Sequence, residues 1–239
     1  MKRRALLIGN SRGLQGVKKD IINFQKFLTG KYGGAWRNEE ITRMMNPSKK
    51  TLLLEISKIK AERYDYVIVL FSGHGGYQRS TILEINGNGE VISDTELFGL
   101  SPRQLSIFDC CRAIENYDLA MESLNERQLF SVTDSLDGIR ERYENRIMQS
   151  LPYQYKLYAC KIGQCAYDCE DGSGAYYLKN LIKQAQSITT PYGLVGDVHE
   201  DAAKATFLQV LIDKKEYQNP VSSVSKYLST QQLILSLKP

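Results

Sequence analysis

Residues 66–76 read Tyr66-Val67-Ile68-Val69-Leu70-Phe71-Ser72-Gly73-His74-Gly75-Gly76. The unbroken apolar run through Phe71 predicts a strand buried on both faces, the pattern of a parallel sheet covered by helices. The run ends in a Gly-rich turn. That turn carries an imidazole, His74, between glycines that let backbone approach a substrate closely.

Working outward toward the N-terminus, Pro47-Ser48 introduces a helix with Leu52, Leu53, Ile56 and Ile59 on one face. Residues 41–44 predict a short strand. Residues 18–28 space Ile21, Ile22, Phe24, Phe27 and Leu28 as a helix does, with Gly30 as its stop, and residues 5–9 form another continuous apolar strand.

Toward the C-terminus, residues 81–85 and 90–92 flank Asn86-Gly87-Asn88-Gly89, a hairpin signal. Ser93 and Glu96 have capping-box spacing for a short helix ending before Pro102. Leu105-Ser106-Ile107-Phe108 is a further strand that runs directly into Asp109-Cys110-Cys111-Arg112. Residues 114–150 are polar and rich in Glu and Arg, and predict a mobile or partly helical connector. The strand pattern resumes at 155–159, helices are expected over 176–188 and 200–212, Asn219-Pro220 is a breaker, and 233–237 predict a last strand. Strands alternating with helices imply an α/β fold with an open, largely parallel sheet covered on both faces.

Composition narrows the function classes. The chain has 239 residues, 42% hydrophobic and 24% charged, which suits a soluble globular protein able to fold without disulfides or metal. The net charge of +4 is spread along the chain, which argues against a nucleic-acid surface. Met1-Lys2-Arg3-Arg4 is basic, but the apolar run after it is too short for a signal peptide, and no stretch approaches a membrane span. Five cysteines, two of them adjacent, do not resemble a disulfide framework and point to a reducing cytoplasm.

Active sites of open α/β sheets form at the carboxyl ends of strands. Two of the most apolar strands here end in His74 and Cys111. A thiol needs a neighbouring base or cation to be a useful nucleophile at neutral pH, and His74 is one of only two histidines. Backbone N–H groups of Gly75 and Cys111 are candidates to face a developing oxyanion. A lone histidine after a strand is more often structural, and a buried cysteine is usually a small hydrophobe. Together, at two strand ends, they favour catalysis.

Other clusters are weaker. Cys160, Cys165 and Cys169 with His199 suggest zinc, but their spacing lacks paired short knuckles, so free thiols are expected. Asp94 and Glu96 are too few for a calcium site and suit a helix start. Gly87-Asn88-Gly89 lacks the following Lys-Ser or Lys-Thr of a phosphate loop. No metal or cofactor is expected.

Ser72-Gly73-His74-Gly75 resembles the histidine motif of caspases, metacaspases and paracaspases. Asp109-Cys110-Cys111-Arg112 resembles both the caspase Q-A-C-R-G and the metacaspase D-x-C-H-S-G signatures, and both alignments place the nucleophile on Cys111. Residues 5–28, with Gly16 and Asp20, are similar to the first strand and helix of that superfamily. Residues 155–182 are similar to the small-subunit strand, the loop with Ala159, Gln164 and Ala166, and the following helix. Ala113 replaces the caspase glycine and the metacaspase H-S-G is absent, so the compact chain looks more like a prokaryotic caspase-like protein.

The resemblance implies a caspase-like three-layer sandwich with a six-stranded, mainly parallel sheet. It implies one peptidase domain over 1–239, with a large-subunit-like part at 1–113, a linker-like connector at 114–150 and a small-subunit-like part at 151–239. The activity implied is that of a Cys-His endopeptidase in regulated cell death or defence. Calcium dependence occurs among metacaspases, without support from this sequence. Asp109 stands where caspases that cut after Asp carry glutamine; in metacaspases and paracaspases, acids matching Asp20 and Asp109 and a serine matching Ser72 line the primary pocket. Such a pocket accepts Arg, then Lys, and rejects acids. Asp20 taken alone equally suits a helix start. The implied partners are a protein substrate with an exposed Arg or Lys and a regulatory protein or activating protease, with no nucleic acid and no membrane. The alternative is a catalytically silent interaction module of the same fold.

Overall fold

The computed structural model describes residues 1–114, 136–224 and 228–239. The run at 66–71 lies in β3 (Tyr66–Ser72), every residue of which is buried. It pairs in parallel with β1 (Arg3–Gly9) on one side and β7 (Arg103–Asp109) on the other. Its position at the centre of the sheet explains its continuous hydrophobicity, because neither face meets water.

β2 (Ile41–Met45) forms one edge beyond β1, and β8 (Tyr153–Tyr158) lies beyond β7. β10 (Val221–Ser223) closes the other edge antiparallel to β8, giving the order β10-β8-β7-β3-β1-β2. Alternate residues of the central strands enter two cores. Ala5, Leu7, Ile68, Leu70, Leu105 and Ile107 pack with side chains of α1 (Gly16–Thr29), α3 (Asp137–Gln149), α4 (Tyr176–Gln186) and α5 (Val195–Asp213). Leu6, Ile8, Val67, Val69 and Phe71 pack with Leu52, Ile56 and Ile59 of α2 (Lys49–Glu62). The expected α/β architecture is therefore the observed one.

Local signals act as expected. Ser48 caps α2 by accepting from the Thr51 N–H, and Gly30 ends α1 by donating to the Lys26 and Phe27 carbonyls. Ser93 and Glu96 form a capping box on the short 3₁₀ helix Asp94–Leu97. The hairpin signal appears as β5 (Thr81–Glu84) and β6 (Val91–Ser93), extended by β4 (Gly75–Tyr77), part of the segment read as a turn.

Three features differ from the sequence expectation. The last strand, β11 (Ile234–Leu237), stays out of the main sheet and pairs antiparallel with β9 (Tyr192–Leu194). The edge strand β10 was not expected, because Val221-Ser222-Ser223 is partly exposed and shows no apolar run. Within the connector, residues 137–149 form the packed helix α3, whereas 115–135 lie outside the described residues. The inward face of α3 is short, with Tyr143, Arg146 and Ile147 buried, and an arginine among them hides the apolar pattern. Its remaining anchors are charged: Arg140 pairs with Glu40 and Glu144, and Glu144 also meets Arg3 and the Met1 amine.

Candidate active site

The register of β3 against β7 pairs Ser72 with Asp109, and His74 and Cys111 each follow two residues later. The two adjoining strands therefore carry the imidazole and the thiol to the same end of the sheet. Glycines make the approach close: a Cβ on Gly75 would lie 2.7 Å from Cys110 Sγ and 2.9 Å from the Cys111 carbonyl oxygen. Gly73 has φ +155° and a Cβ there would meet Asn10 Cβ at 2.9 Å. Larger residues at either position would force the strand ends apart.

His74 Nε2 lies 2.7 Å from the Arg12 carbonyl oxygen in the β1–α1 loop. A carbonyl only accepts, so Nε2 carries a proton, which leaves Nδ1 as the nitrogen that can exchange one with a substrate or thiol. This orienting group escaped the sequence reading because a backbone oxygen leaves no residue-type signal.

The adjacent cysteines have different environments. Cys110 is 2% exposed and packs in the α2-side core, where burial pushes its thiol well above the ordinary range. Cys111 is partly exposed, with Sγ 3.7 Å from the Ala166 carbonyl oxygen. The neighbouring Cys165 thiol, followed by burial, raises Cys111, and the Cys111 thiol in turn lowers Cys165 to about 7. Arg112 is buried. Its guanidinium donates to Thr81 Oγ1 and to the Cys160 carbonyl and stacks over Tyr158, bracing β5 and β8.

Beside this pair lies a group of carboxylates. Asp20, from α1, is 2% exposed; it accepts from Ser72 Oγ at 2.7 Å and from the Ala175 N–H at 2.9 Å. Burial raises it to about 7, against the lowering effect of those two hydrogen bonds, and Asp168 adds to the rise. Asp109 is 3% exposed and accepts from the Leu178 N–H in α4. Its carboxyl is raised by burial first, then by Asp20 and Asp168.

The structure thus brings together Asp20, Ser72 and Asp109, and adds Asp168 from the loop after β8. Asp168 is raised by burial, partly offset by the Gly16 N–H, His74 and Lys214. Gly174 and Gly16 make room: a Cβ on them would lie 2.2 Å from Asp20 Oδ1 and 2.6 Å from Asp168 Oδ2. Among the described residues, no lysine or arginine ion-pairs with any of the three; Lys214 pairs with Glu170. Asp168 has a sequence signal, an acid two residues after Ala166. That signal means something only once this loop is known to reach the start of α1.

The other candidates lie elsewhere. His199 is buried in α5 against the Tyr177 hydroxyl at 2.7 Å, and burial lowers it to about 4. Asp94 accepts from the Tyr158 hydroxyl, and Glu96 serves the capping box. Among the described residues, no group of three or more His, Cys, Asp or Glu side chains is arranged to hold a metal, and no helix is long and apolar enough to cross a membrane.

A central parallel sheet with a histidine and a cysteine at adjoining strand ends defines the class: the fold of a cysteine peptidase. The family follows from comparison. A model of the caspase domain matches residues 2–228, and the chain belongs to that family. Caspase-1 from Spodoptera frugiperda superposes with a TM-score of 0.62 at 10% identity, over 99% of this chain and 90% of that one. A protein from Geobacter sulfurreducens superposes with a TM-score of 0.58 at 15% identity, over 96% and 95%. At these identities the likeness is one of fold. None of the curated protein sequences matches the chain.

Proposed function

We propose that this chain is an active cysteine endopeptidase that cuts proteins after a basic residue, Arg before Lys. His74 Nδ1 takes the Cys111 proton, and the thiolate attacks the scissile carbonyl. The backbone N–H groups of Gly75 and Cys111 receive the oxyanion. The imidazolium then protonates the leaving amine, and a water activated by the same ring hydrolyses the thioester. The chain acts as one domain over 1–239, with residues 1–113 and 151–239 as its two halves, and needs no cofactor. Regulated cell death or defence signalling in a reducing cytoplasm is the setting the family suggests, with a regulatory protein or activating protease as partner.

The observation that carries this reading is the cluster of Asp20, Asp109 and Asp168 with Ser72, buried near His74 and, among the described residues, ion-paired with no lysine or arginine. Carboxylates held this way repel one another, and an arriving guanidinium relieves the repulsion through charge-assisted hydrogen bonds. An acidic side chain there meets like charge in a desolvated site. Loss of a buried charge contact costs about 2–5 kcal/mol, or roughly 30- to several-thousand-fold.

Kinetics on peptides differing only in Arg, Lys or Asp before the cut test this directly. The order Arg, Lys, with negligible Asp, is expected. Asp109→Asn and Asp168→Asn should each lower kcat/KM for Arg peptides by ~10- to 150-fold, from about 1.5–3 kcal/mol per charged hydrogen bond. Preference for Asp, or indifference to both substitutions, would sink the pocket while leaving the catalytic pair standing.

A further inference from the structure

Two of the five thiols stand apart from the rest. Cys110, Cys160 and Cys169 are buried, whereas Cys111 and Cys165 are both partly exposed, and Cys111 Sγ lies 3.7 Å from the carbonyl oxygen of Ala166, the residue after Cys165. The backbone holds them in place. The Arg112 N–H donates to the Gln164 carbonyl at 2.9 Å and the Gly163 N–H donates to the Arg112 carbonyl at 2.8 Å. Arg112 follows Cys111 and Gln164 precedes Cys165, so the strand end and the loop are pinned beside both sulfurs.

We propose that Cys111 and Cys165 form a reversible disulfide under hydrogen peroxide, an oxidative modification site that switches the peptidase off. The switch rests on the proposed function for its consequence, since the sulfur it removes is the proposed nucleophile. The bond itself does not depend on that reading.

The chemistry balances with one equivalent of peroxide. The Cys111 thiol beside it lowers Cys165 to about 7, and a thiolate is the form that attacks peroxide. A new S–O bond forms as the O–O bond breaks; one peroxide oxygen leaves as water and Cys165 becomes a sulfenic acid. The Cys111 sulfur then attacks the Cys165 sulfur, forming S–S as S–O breaks and a second water departs. Both sulfurs are oxidised, peroxide is reduced, and a dithiol returns the two electrons by exchange. Cys160 is a poor competitor, being fully buried with its thiol pushed up to about 12 by burial. The arrangement also protects the nucleophile, because a disulfide is reducible whereas a sulfinic acid is not.

The test is peroxide treatment of the whole chain, read by mass spectrometry without reductant. The wild type should become lighter by two hydrogens, with tandem spectra joining Cys111 to Cys165, and should lose iodoacetamide labelling at both sulfurs until dithiothreitol restores it. In Cys165→Ser, Cys111 should instead advance to sulfinic acid, and dithiothreitol should not restore labelling. A Cys110–Cys111 or Cys111–Cys160 linkage would overturn the proposal. So would Cys111 sulfinic acid forming equally fast in wild type and Cys165→Ser. These readouts require no turnover, so a chain that cuts no peptide would refute the proposed activity and still decide the disulfide. Where activity is present, its loss and recovery should follow the linkage.

Discussion

At the scale of single residues, Cys110 and Cys111 are neighbours with opposite fates, because consecutive positions at a strand end point to opposite faces. Cys110 fills the core beneath the sheet and Cys111 reaches the site. Cys111→Ala and His74→Ala should each abolish peptide cleavage without changing the fold, while Cys110→Ala keeps substantial activity. A thiol-reactive peptide inhibitor mapped by mass spectrometry checks the assignment; modification of Cys110 with Cys111 untouched would reverse it. A second expectation comes from Asp20, raised to about 7 mainly by burial. A pocket that must be ionised to hold arginine should make kcat/KM for Arg peptides rise with pH through about 7, more steeply than iodoacetamide labelling of Cys111. Asp20→Asn should remove the extra steepness. Identical pH dependence of the two rates in wild type would count against ionised Asp20 as a pocket group.

At the scale of elements, α3 changes the expectation for proteolysis. The sequence offers Arg127, Arg140, Arg142 and Arg146 as basic sites in the connector, but the last three lie in a helix held by tertiary contacts. Arg140 pairs with Glu40 and Glu144, Arg142 donates to the Lys238 carbonyl, and Arg146 is buried and donates to the Ser229 carbonyl. A protease needs an extended segment, so cutting there requires α3 to unfold locally. Self-processing within the connector is therefore expected after Arg127. N-terminal sequencing of fragments from wild type, with Cys111→Ala as the inactive control, reads the site. New N-termini at Glu141, Tyr143 or Ile147 would show that α3 does not protect its arginines.

For the whole molecule, two sets of buried groups pull stability in opposite directions with pH. His199 falls from the ordinary 6.5 to about 4 through burial, so the unfolded chain takes up its proton first. The stability it contributes is complete above about 6.5 and is lost as pH falls toward 4, about 2 kcal/mol by pH 5. Asp20 behaves conversely: with its folded pKa raised, stability declines as pH rises from about 4 to 7. His199→Gln keeps a partner for the Tyr177 hydroxyl and removes only the first effect. Urea unfolding at pH 7 and pH 5 should show the variant losing less stability on acidification than wild type. An equal loss in both would mean that His199 does not govern acid sensitivity.

The elements on which the site is mounted could be read from residue patterns because each depends on local physics. The apolar runs at 5–9 and 66–71 exclude water from both faces wherever they are placed, and Ser48, Gly30 and the Ser93–Glu96 pair set helix ends through neighbouring backbone. His74, Cys111, Asp20, Ser72 and Asp109 were likewise visible, because chemistry-bearing side chains end strands or stand at recognisable motifs, although Asp20 lies inside α1 and not at its start. Partnership was not visible. The pairing of Ser72 with Asp109, the Arg12 carbonyl behind His74, the arrival of Asp168 at the start of α1 and the seat of α3 all depend on contacts between residues far apart in the chain. A sequence displays side-chain type and local spacing; burial, hydrogen-bond partners and proton affinities arise only when distant segments exclude water together. For this reason Cys165 looked like one free thiol among five, and only the packed loop brought its segment against Cys111.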